Sequence, residues 1–488
     1  MNLTAGSSIS VIGSAHSCSE LWISSEIITL DSMPKVFKDV SESGRPPYST
    51  VFVSANTSFR ECMQLLADQG RTLPATGGVD EQQIGGLLAT NTAPASKEFT
   101  IYSDLKEIEY VTKDDAHNKA TGEDLKALIT NLGLVGVVTY ITIGTIPNYG
   151  MRAIQRILPV EDLAKLMVEG ENFKSGEPED GSGKDEKEYK FWRMDCIPQV
   201  KSDSRDKPGN ALLWAARMIE GEDDPAYEHY EQNPDGDYVD QYKYMPASML
   251  IFDAVQKQSQ ERYSLDPYNN IYIESSYKLM EMLIAYTPKR YTFYGPLKNM
   301  LPVDRFMNKN LFCAMAEWAF LPKDLETVMK IYQEYFHFHE WPNLPIEVEY
   351  VKCDDNYMSP WNSNKMIGGP VEYLVKVNIM WFFSKNFWDL QDGKMKTRSP
   401  KEQEIVRDQI EIHAKGLWNQ LKEKDICFKA HWGKINFTTP EEVEQLYEWE
   451  KFKPYIQPEM MNEYYKERLP KLENEVLGCI ICGGTKTT

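Results

Sequence analysis

Positive charge is scarce in this chain: Lys and Arg number 53 against 73 Asp and Glu, a formal net charge of −20. A surface of that sign repels phosphate-rich partners, which argues against nucleic acid and anionic membrane surfaces. Long apolar runs are lacking too. None reaches the roughly 18–20 residues that cross a bilayer, so no transmembrane segment is expected. The start, Met1-Asn-Leu-Thr-Ala-Gly6, has neither the basic end nor the apolar centre of a secretory signal peptide. Cysteine is sparse, 8 in 488 residues, and scattered. That suits a reducing compartment, cytoplasmic or the lumen of an organelle. The one CxxC pair, Cys479 and Cys482, lies in a Gly/Thr tail without a second pair or a His cluster. His337 and His339 alternate, but no third ligand set accompanies them, so no metal is expected. Neither GxGxxG opening a helix after a strand nor GxxxxGK[ST] occurs, which removes the dinucleotide fingerprint and the P-loop.

What is present is organised around Ser10-Val-Ile-Gly-Ser-Ala-His-Ser17. Ile9, Val11 and Ile12 predict a buried strand that runs into a turn of small residues. Gly13, Ser14 and Ala15 would let a ligand approach the backbone and meet successive N–H groups. His16 and Ser17 stand at the mouth of the turn. Strands are expected at Glu26–Leu30 and Ser49–Ser54, then a helix over Phe59–Gln69 capped by Asn56 or Ser58. Gln83-Ile-Gly-Gly-Leu-Leu-Ala-Thr-Asn-Thr92 reads as a tight diglycine turn before a small-residue run. A strand at Leu105–Thr112 and a helix at Gly122–Asn131 precede Leu132–Ile143, where Gly133 and Gly136 bracket a turn into a buried strand. Glycine-containing turns at strand edges within one α+β unit suggest a backbone wrapped around a long, flat, phosphate-bearing ligand.

From about residue 148 to 425 the character changes. The acidic stretches Glu169–Glu186 and Glu220–Asp240 read as solvated surface insertions. Strand compositions at 188–194, 311–320, 346–351 and 373–382, with helices at 325–336 and 402–423, predict a large antiparallel sheet with helices on one side. There is no internal repeat.

Two stretches carry polar groups suited to chemistry. In Pro345-Ile-Glu-Val-Glu-Tyr350 the alternation places Glu347 and Glu349 on one face. The plain reading is an edge strand with a solvated acidic side. The chemical reading is a carboxylate pair whose mutual repulsion raises one pKa and prepares a general acid or base. In Lys429-Ala-His-Trp-Gly-Lys-Ile435, Gly433 allows His431 and Lys434 to face one site, although a tryptophan-anchored loop explains the same residues.

In order along the chain, GSAHS, IGGLLATNT, NLGLVGVV, MAEWAFLP, PIEVEY with its following DD and SP, HWGK and the Ile456-Gln-Pro to Asn462-Glu-Tyr-Tyr segment resemble the sugar-1,4-lactone oxidases and their alditol oxidase relatives. The resemblance, over about residues 9 to 468, implies FAD enzymes of the vanillyl-alcohol-oxidase type. It implies an α+β chain with a two-subdomain PCMH-type FAD-binding domain over 1–147, here without its first strand–helix. A cap domain with a large antiparallel sheet would span 148–425, with a segment returning to the FAD domain at 426–475 and a tail at 476–488. By the same resemblance His16 would be a covalent flavin anchor. Gly13, Ser14 and Ser17 would surround the pyrophosphate, and Gly85, Gly86, Thr90, Gly133, Gly136 and Val138 would line the rest. Catalysis would fall to Glu347, Glu349, His431 and Lys434, acting on a sugar lactone or polyol with O₂ or a protein as electron acceptor. The sequence departs from the pattern at Thr92-Ala-Pro-Ala-Ser96, in place of THGSG, and at Glu349, in place of an arginine. A carboxylate at 349 opposes negative charge developing on flavin and substrate, leaving Lys434 as the expected compensating cation. These departures keep open an alternative: a flavin-fold protein that has lost catalysis and serves as a structural or binding subunit.

Overall fold

The computed structural model describes residues 8–14, 17, 21, 23–40, 49–113, 116–159, 189–196, 210–224, 226–231, 290–297, 311–339, 346–384, 386–389, 394–397, 399 and 400–472. His16, the stretch 169–186, and Cys479 and Cys482 lie outside the described residues.

The N-terminal unit begins with a parallel pair, β1 (Ile9–Ile12) and β2 (Glu26–Thr29). A mixed-length sheet follows, built from β3 (Phe37–Asp39), β4 (Ser49–Ser54), β6 (Leu105–Val111), β7 (His117–Ala120) and β8 (Val137–Pro147) in the order β3-β4-β8-β6-β7. The short β5 (Arg71–Thr72) pairs with β8. Helix α1 (Phe59–Ala67) starts where the Ser58 hydroxyl accepts the Glu61 N–H. Its buried positions Phe59, Cys62, Met63 and Leu66 form one stripe against the sheet. Helix α2 (Ile84–Thr90) corrects the sequence reading of residues 83–92. Gly85 and Gly86 sit in its first turn rather than in a loop. Gly85 is needed for packing, since a Cβ there would lie 3.1 Å from that of Ala55. The expected helix at 122–131 is shorter than its pattern. It consists of a 3₁₀ turn and Leu125–Leu128, and ends where Thr130, Leu132 and Gly133 adopt positive φ.

The second unit is an eight-stranded antiparallel sheet, in the order β12-β9-β11-β10-β14-β15-β13-β18. Its strands are β9 (Gly150–Pro159), β10 (Phe191–Cys196), β11 (Asn210–Met218), β12 (Arg290–Pro296), β13 (Leu311–Phe320), β14 (Ile346–Lys352), β15 (Tyr373–Ser384) and β18 (Phe428–Ala430). A hairpin, β16 (Asn386–Asp389) and β17 (Lys394–Thr397), stands apart. Strand alternation sends Met194, Trp318, Phe320, Val348, Val375, Val377, Ile379 and Trp381 to one face. There they pack against helices Leu325–His339 and Pro400–Glu423, the latter opened by a Ser399–Glu402 capping box. His337 and His339 fall in the last turn of the first helix. Among the described residues no group of metal-ligating side chains is present.

Two more expectations change. β14 is an inner strand, with Ile346–Val351 buried throughout, so its acidic side is not a solvated edge. In the described part of the 220–240 stretch, Asp224 is buried and bound by both terminal nitrogens of Arg217, at 2.8 and 3.0 Å. That carboxylate is part of the core rather than of a solvated insertion. After β18 the chain packs on the N-terminal unit: Trp432, Tyr447, Trp449, Phe452, Ile456, Met460 and Tyr465 share a core with Val51, Leu66 and Leu88. No helix among the described residues is long and apolar enough to cross a membrane.

Candidate active site

The second face of the large sheet is buried yet ionic. Two rows of residues cross it, set by strand register. One row runs Asp195, Glu347, Asn378, Glu317; the other runs Trp214, Arg193, Glu349, Lys376. Each step between strands is about 4.8 Å. Glu347 and Glu349 do share a face, and each has a partner that the sequence did not reveal. Arg193 Nη2 lies 3.1 Å from Glu347 Oε2 and 3.4 Å from Asp195 Oδ1. Lys376 Nζ lies 2.6 Å from Glu349 Oε2 and donates to the Ala93 carbonyl at 3.0 Å.

This overturns the view of Lys434 as the only compensating cation. Lys434 Nζ sits 3.0 Å from Met315 Sδ, and strands β15 and β13 stand between it and Glu347. The charge that the resemblance places at position 349 is carried instead by strand neighbours on either side. The signal for them was legible but unread: Arg193 between Trp192 and Met194, and Lys376 between Val375 and Val377, are lone cations at alternating positions of apolar strands. Asp195, Glu317 and Asn378 were missed for the same reason.

Electrostatics sorts these groups. Burial pushes the Glu347 carboxyl well above its usual range; Arg193 opposes the shift, and Glu349 and Asp195 add to it. Asp195 is the leading counter-charge to Arg193, whose guanidinium stays charged despite burial. Glu347 is therefore the carboxyl on this face whose charge burial opposes most strongly, with Arg193 as the contact that offsets it. Burial works against the Lys376 ammonium, but Glu349, Glu317 and Glu347 outweigh it and keep it charged. Burial would raise Glu317, yet the neighbouring positive charge, led by Lys376, holds it below the usual range. Burial lowers His431 to about 4, so its ring is neutral at pH 7.

The HWGK loop closes one end of the first row. His431 N donates to Glu317 O at 2.9 Å and Ile435 N to Met315 O at 2.8 Å, which continues the sheet edge. Gly433 N donates to His431 Nδ1 at 3.1 Å, which leaves the proton on Nε2. Trp432 anchors the loop through Met358 O, and the His431 ring lies 5.8 Å from that of Trp361. Gly433 is required here: a Cβ would stand 3.1 Å from Ser17 Oγ and 3.2 Å from His431 Cε1. The first small-residue turn and the HWGK loop thus meet.

The other glycine-bearing segments gather on the N-terminal unit. Ser14 Oγ donates to Glu81 O, and a Cβ on Gly13 would lie 3.0 Å from Gln83 Oε1. Cβ atoms at Gly86 and Gly133 would meet open space, whereas at Gly136 one would meet the Val111 carbonyl at 2.7 Å. Thr90 is buried, and Val138 belongs to β8. In two of these segments backbone N–H groups are already spent within the unit. Ile84 and Gly85 donate to Thr57 O and Ala55 O, and Leu132 donates to Ala89 O. Gln82 Oε1 and Thr130 Oγ1 are buried polar atoms without a hydrogen-bond partner, which leaves acceptors beside these segments for a ligand. The THGSG-equivalent loop is tied to the sheet: Asn91 Nδ2 donates to Asp354 and Ser359 at 2.7 and 2.9 Å, and Trp361 Nε1 donates to Asn91 O. The DD and SP positions after β14 therefore serve this junction.

No family profile matches the chain. The D-arabinono-1,4-lactone oxidase of Kluyveromyces lactis is 25% identical over 168 residues, 32% of this chain and 31% of that protein. That of Saccharomyces cerevisiae is 26% identical over 172 residues, 33% of this chain and 32% of that protein. The match thus spans about a third of the length of these curated relatives. Among solved structures, the cholesterol oxidase from B. sterolicum aligns with a TM-score of 0.62 at 14% identity, covering 95% of this chain and 90% of that one. A solvent-stable cholesterol oxidase aligns at 0.60, also at 14% identity, covering 88% of this chain and 80% of its own. The chain has the α+β, PCMH-type fold of these flavoenzymes and resembles the sugar-1,4-lactone oxidases in sequence.

Proposed function

We propose that the chain is an FAD-dependent oxidoreductase that oxidises a carbinol of a sugar-1,4-lactone or polyol, passing electrons to O₂ or a protein acceptor. The observation that carries this reading is the buried ionic face of the sheet, which meets the HWGK loop and the first small-residue turn at one place. Residues 1–147 with 426–475 would hold the cofactor, and 148–425 would cover it. The open space at Gly86 and Gly133 and the unpartnered Gln82 and Thr130 oxygens fit a long polar cofactor. Gly13, Ser14, Ser17, Gly85, Gly86, Thr90, Gly133, Gly136 and Val138 would hold it, with His16 as a covalent anchor. A bound flavin would supply the two-electron oxidation, taking a hydride at N5.

The protein's own groups would bind and orient the substrate. Glu347, whose carboxyl burial pushes toward the protonated form, would meet a substrate hydroxyl while Arg193 fixes its orientation. Lys376 and Lys434 supply positive charge near groups that become electron-rich, and the His431 Nε2–H gives a further donor. Lys376 also pins the Ala93 carbonyl, so the loop that replaces THGSG is fixed to the substrate face. The pairing of Glu349 with Lys376 weakens the electrostatic argument for lost catalysis, since the carboxylate is neutralised in place.

The visible spectrum of the purified protein tests the cofactor. Flavin bands are expected, with the flavin remaining on acid-precipitated protein and becoming extractable in His16→Ala. Fully extractable flavin in the wild type removes the covalent link. Anaerobic bleaching of those bands by a sugar lactone or polyol tests the reaction. A flavin-bearing protein that none of them bleaches favours the non-catalytic alternative.

A further inference from the structure

Of the four carboxylates on the ionic face, three have a cation in contact. Asp195 and Glu347 lie on Arg193, and Glu349 lies on Lys376. Glu317, in the middle of β13, is the fourth. It is only 7% exposed, yet its carboxylate makes no salt bridge or hydrogen bond among the described residues. Its backbone is fixed on both sides, paired with Asn378 of β15 and accepting from His431 N. A second group beside it is in the same condition: Asn378, 4% exposed, has an Oδ1 without a hydrogen-bond partner. A buried carboxylate with no cation in contact, beside a buried amide oxygen without a donor, is expensive to maintain for stability alone. The two are suited to a hydroxylated molecule that brings its own donors.

We infer that Glu317 is the base that takes the hydroxyl proton of the substrate carbinol, with Asn378 holding a neighbouring hydroxyl. This rests on the oxidase reading. In the balanced step, the carbinol C–H bond breaks and its electron pair leaves as hydride to a two-electron acceptor of the flavin class. The O–H bond breaks, its proton forms a new O–H bond on Glu317, and the C–O bond becomes a carbonyl. Glu347 is poorly placed for this role because its carboxyl is spent on Arg193 at 3.1 Å, whereas Glu317 has no cation in contact and stays ionised in the field of Lys376 and Lys434. The neutral His431, whose Nε2 carries the proton, can donate to the same substrate oxygen before that proton leaves.

The test uses flavin-loaded full-length protein and its E317Q, E317D and E347Q variants, with D-arabinono-1,4-lactone and a straight-chain pentitol as probes. In anaerobic stopped flow, E317Q should reduce about 100–10,000-fold more slowly with little change in substrate affinity. Its rate should climb with pH between about 6 and 9, as hydroxide replaces the missing base, while wild type stays flat. E317D should recover part of the rate. Infrared spectra of substrate-free protein at neutral pH give a readout independent of turnover. The protonated-carboxyl intensity should fall in E347Q and be unchanged in E317Q. Wild-type speed or a flat pH profile in E317Q overturns the inference while the oxidase reading stands, and so does loss of the protonated band in E317Q. If E317Q does not fold, E317D replaces it: reduction at the wild-type rate in E317D overturns the inference, and a slowed rate supports it. If wild type reduces with neither probe, the oxidase reading fails and the assignment falls with it.

Discussion

The two faces of the large sheet are equally buried and built on opposite principles. One is Trp318, Phe320, Val348, Val375 and Val377 packed against two helices. The other, on the same strands, is Arg193, Glu317, Glu347, Glu349, Lys376 and Asn378. The apolar face gains stability from every side chain separately, roughly in proportion to area. The ionic face gains little net stability and depends on complete pairing, because one lost partner strands a charge. The proposed function uses the side where stability alone does not account for the residues.

The largest expected effect lies on the apolar face. Trp318 is fully buried against Tyr332, Trp418 and Phe428. Trp318→Ala should cost about 3–5 kcal/mol in urea unfolding. Next is Lys376→Met, expected to cost about 3 kcal/mol because Glu349 is left buried without its cation. Lys376→Met with Glu349→Leu should recover most of that loss, a coupling that no pair on the apolar face should show. Glu349→Arg, which would reinstate the arginine of the resembled pattern, is expected to destabilise. It would set a third cation between Arg193 and Lys376 and remove the counter-ion of one.

Two pH effects of opposite sign sharpen the contrast. His431 is held neutral in the fold, its pKa lowered from 6.5 to about 4 by burial. Its contribution is therefore complete above about 6.5 and is lost as pH falls toward 4. The loss is at most roughly 3 kcal/mol. His431→Gln should flatten that acid limb in denaturant titrations across pH. Glu347 works the other way: its folded pKa is raised, so its stabilising contribution is full below about 4.5 and declines as pH rises above that value. The smallest change is expected from Glu347→Gln at neutral pH, under about 1 kcal/mol, because an amide resembles the neutral acid. A loss of several kcal/mol there would mean that Glu347 is ionised in the fold.

Much of the frame was legible from residues. Alternation in 346–351 and 373–382 placed two strands and the shared face of Glu347 and Glu349, and apolar spacing placed the helices behind them. The diglycine misled because paired glycines usually mark a turn, whereas here close packing of α2 on Ala55 selects Gly85 inside a helix. Which cation meets which carboxylate was not legible. Lys376 and Arg193 lie far from Glu349 in sequence, and only strand order and register bring them together.

The sequence by itself determined which residues are apolar at every second position, and hence that these strands have an oily face and a polar one. It also determined the low content of cations that makes each buried one matter. Which carboxylate meets which cation was decided by tertiary structure alone. Side-chain period fixes the face, but pairing depends on the order and register of strands, and a shift of one residue would exchange every partner.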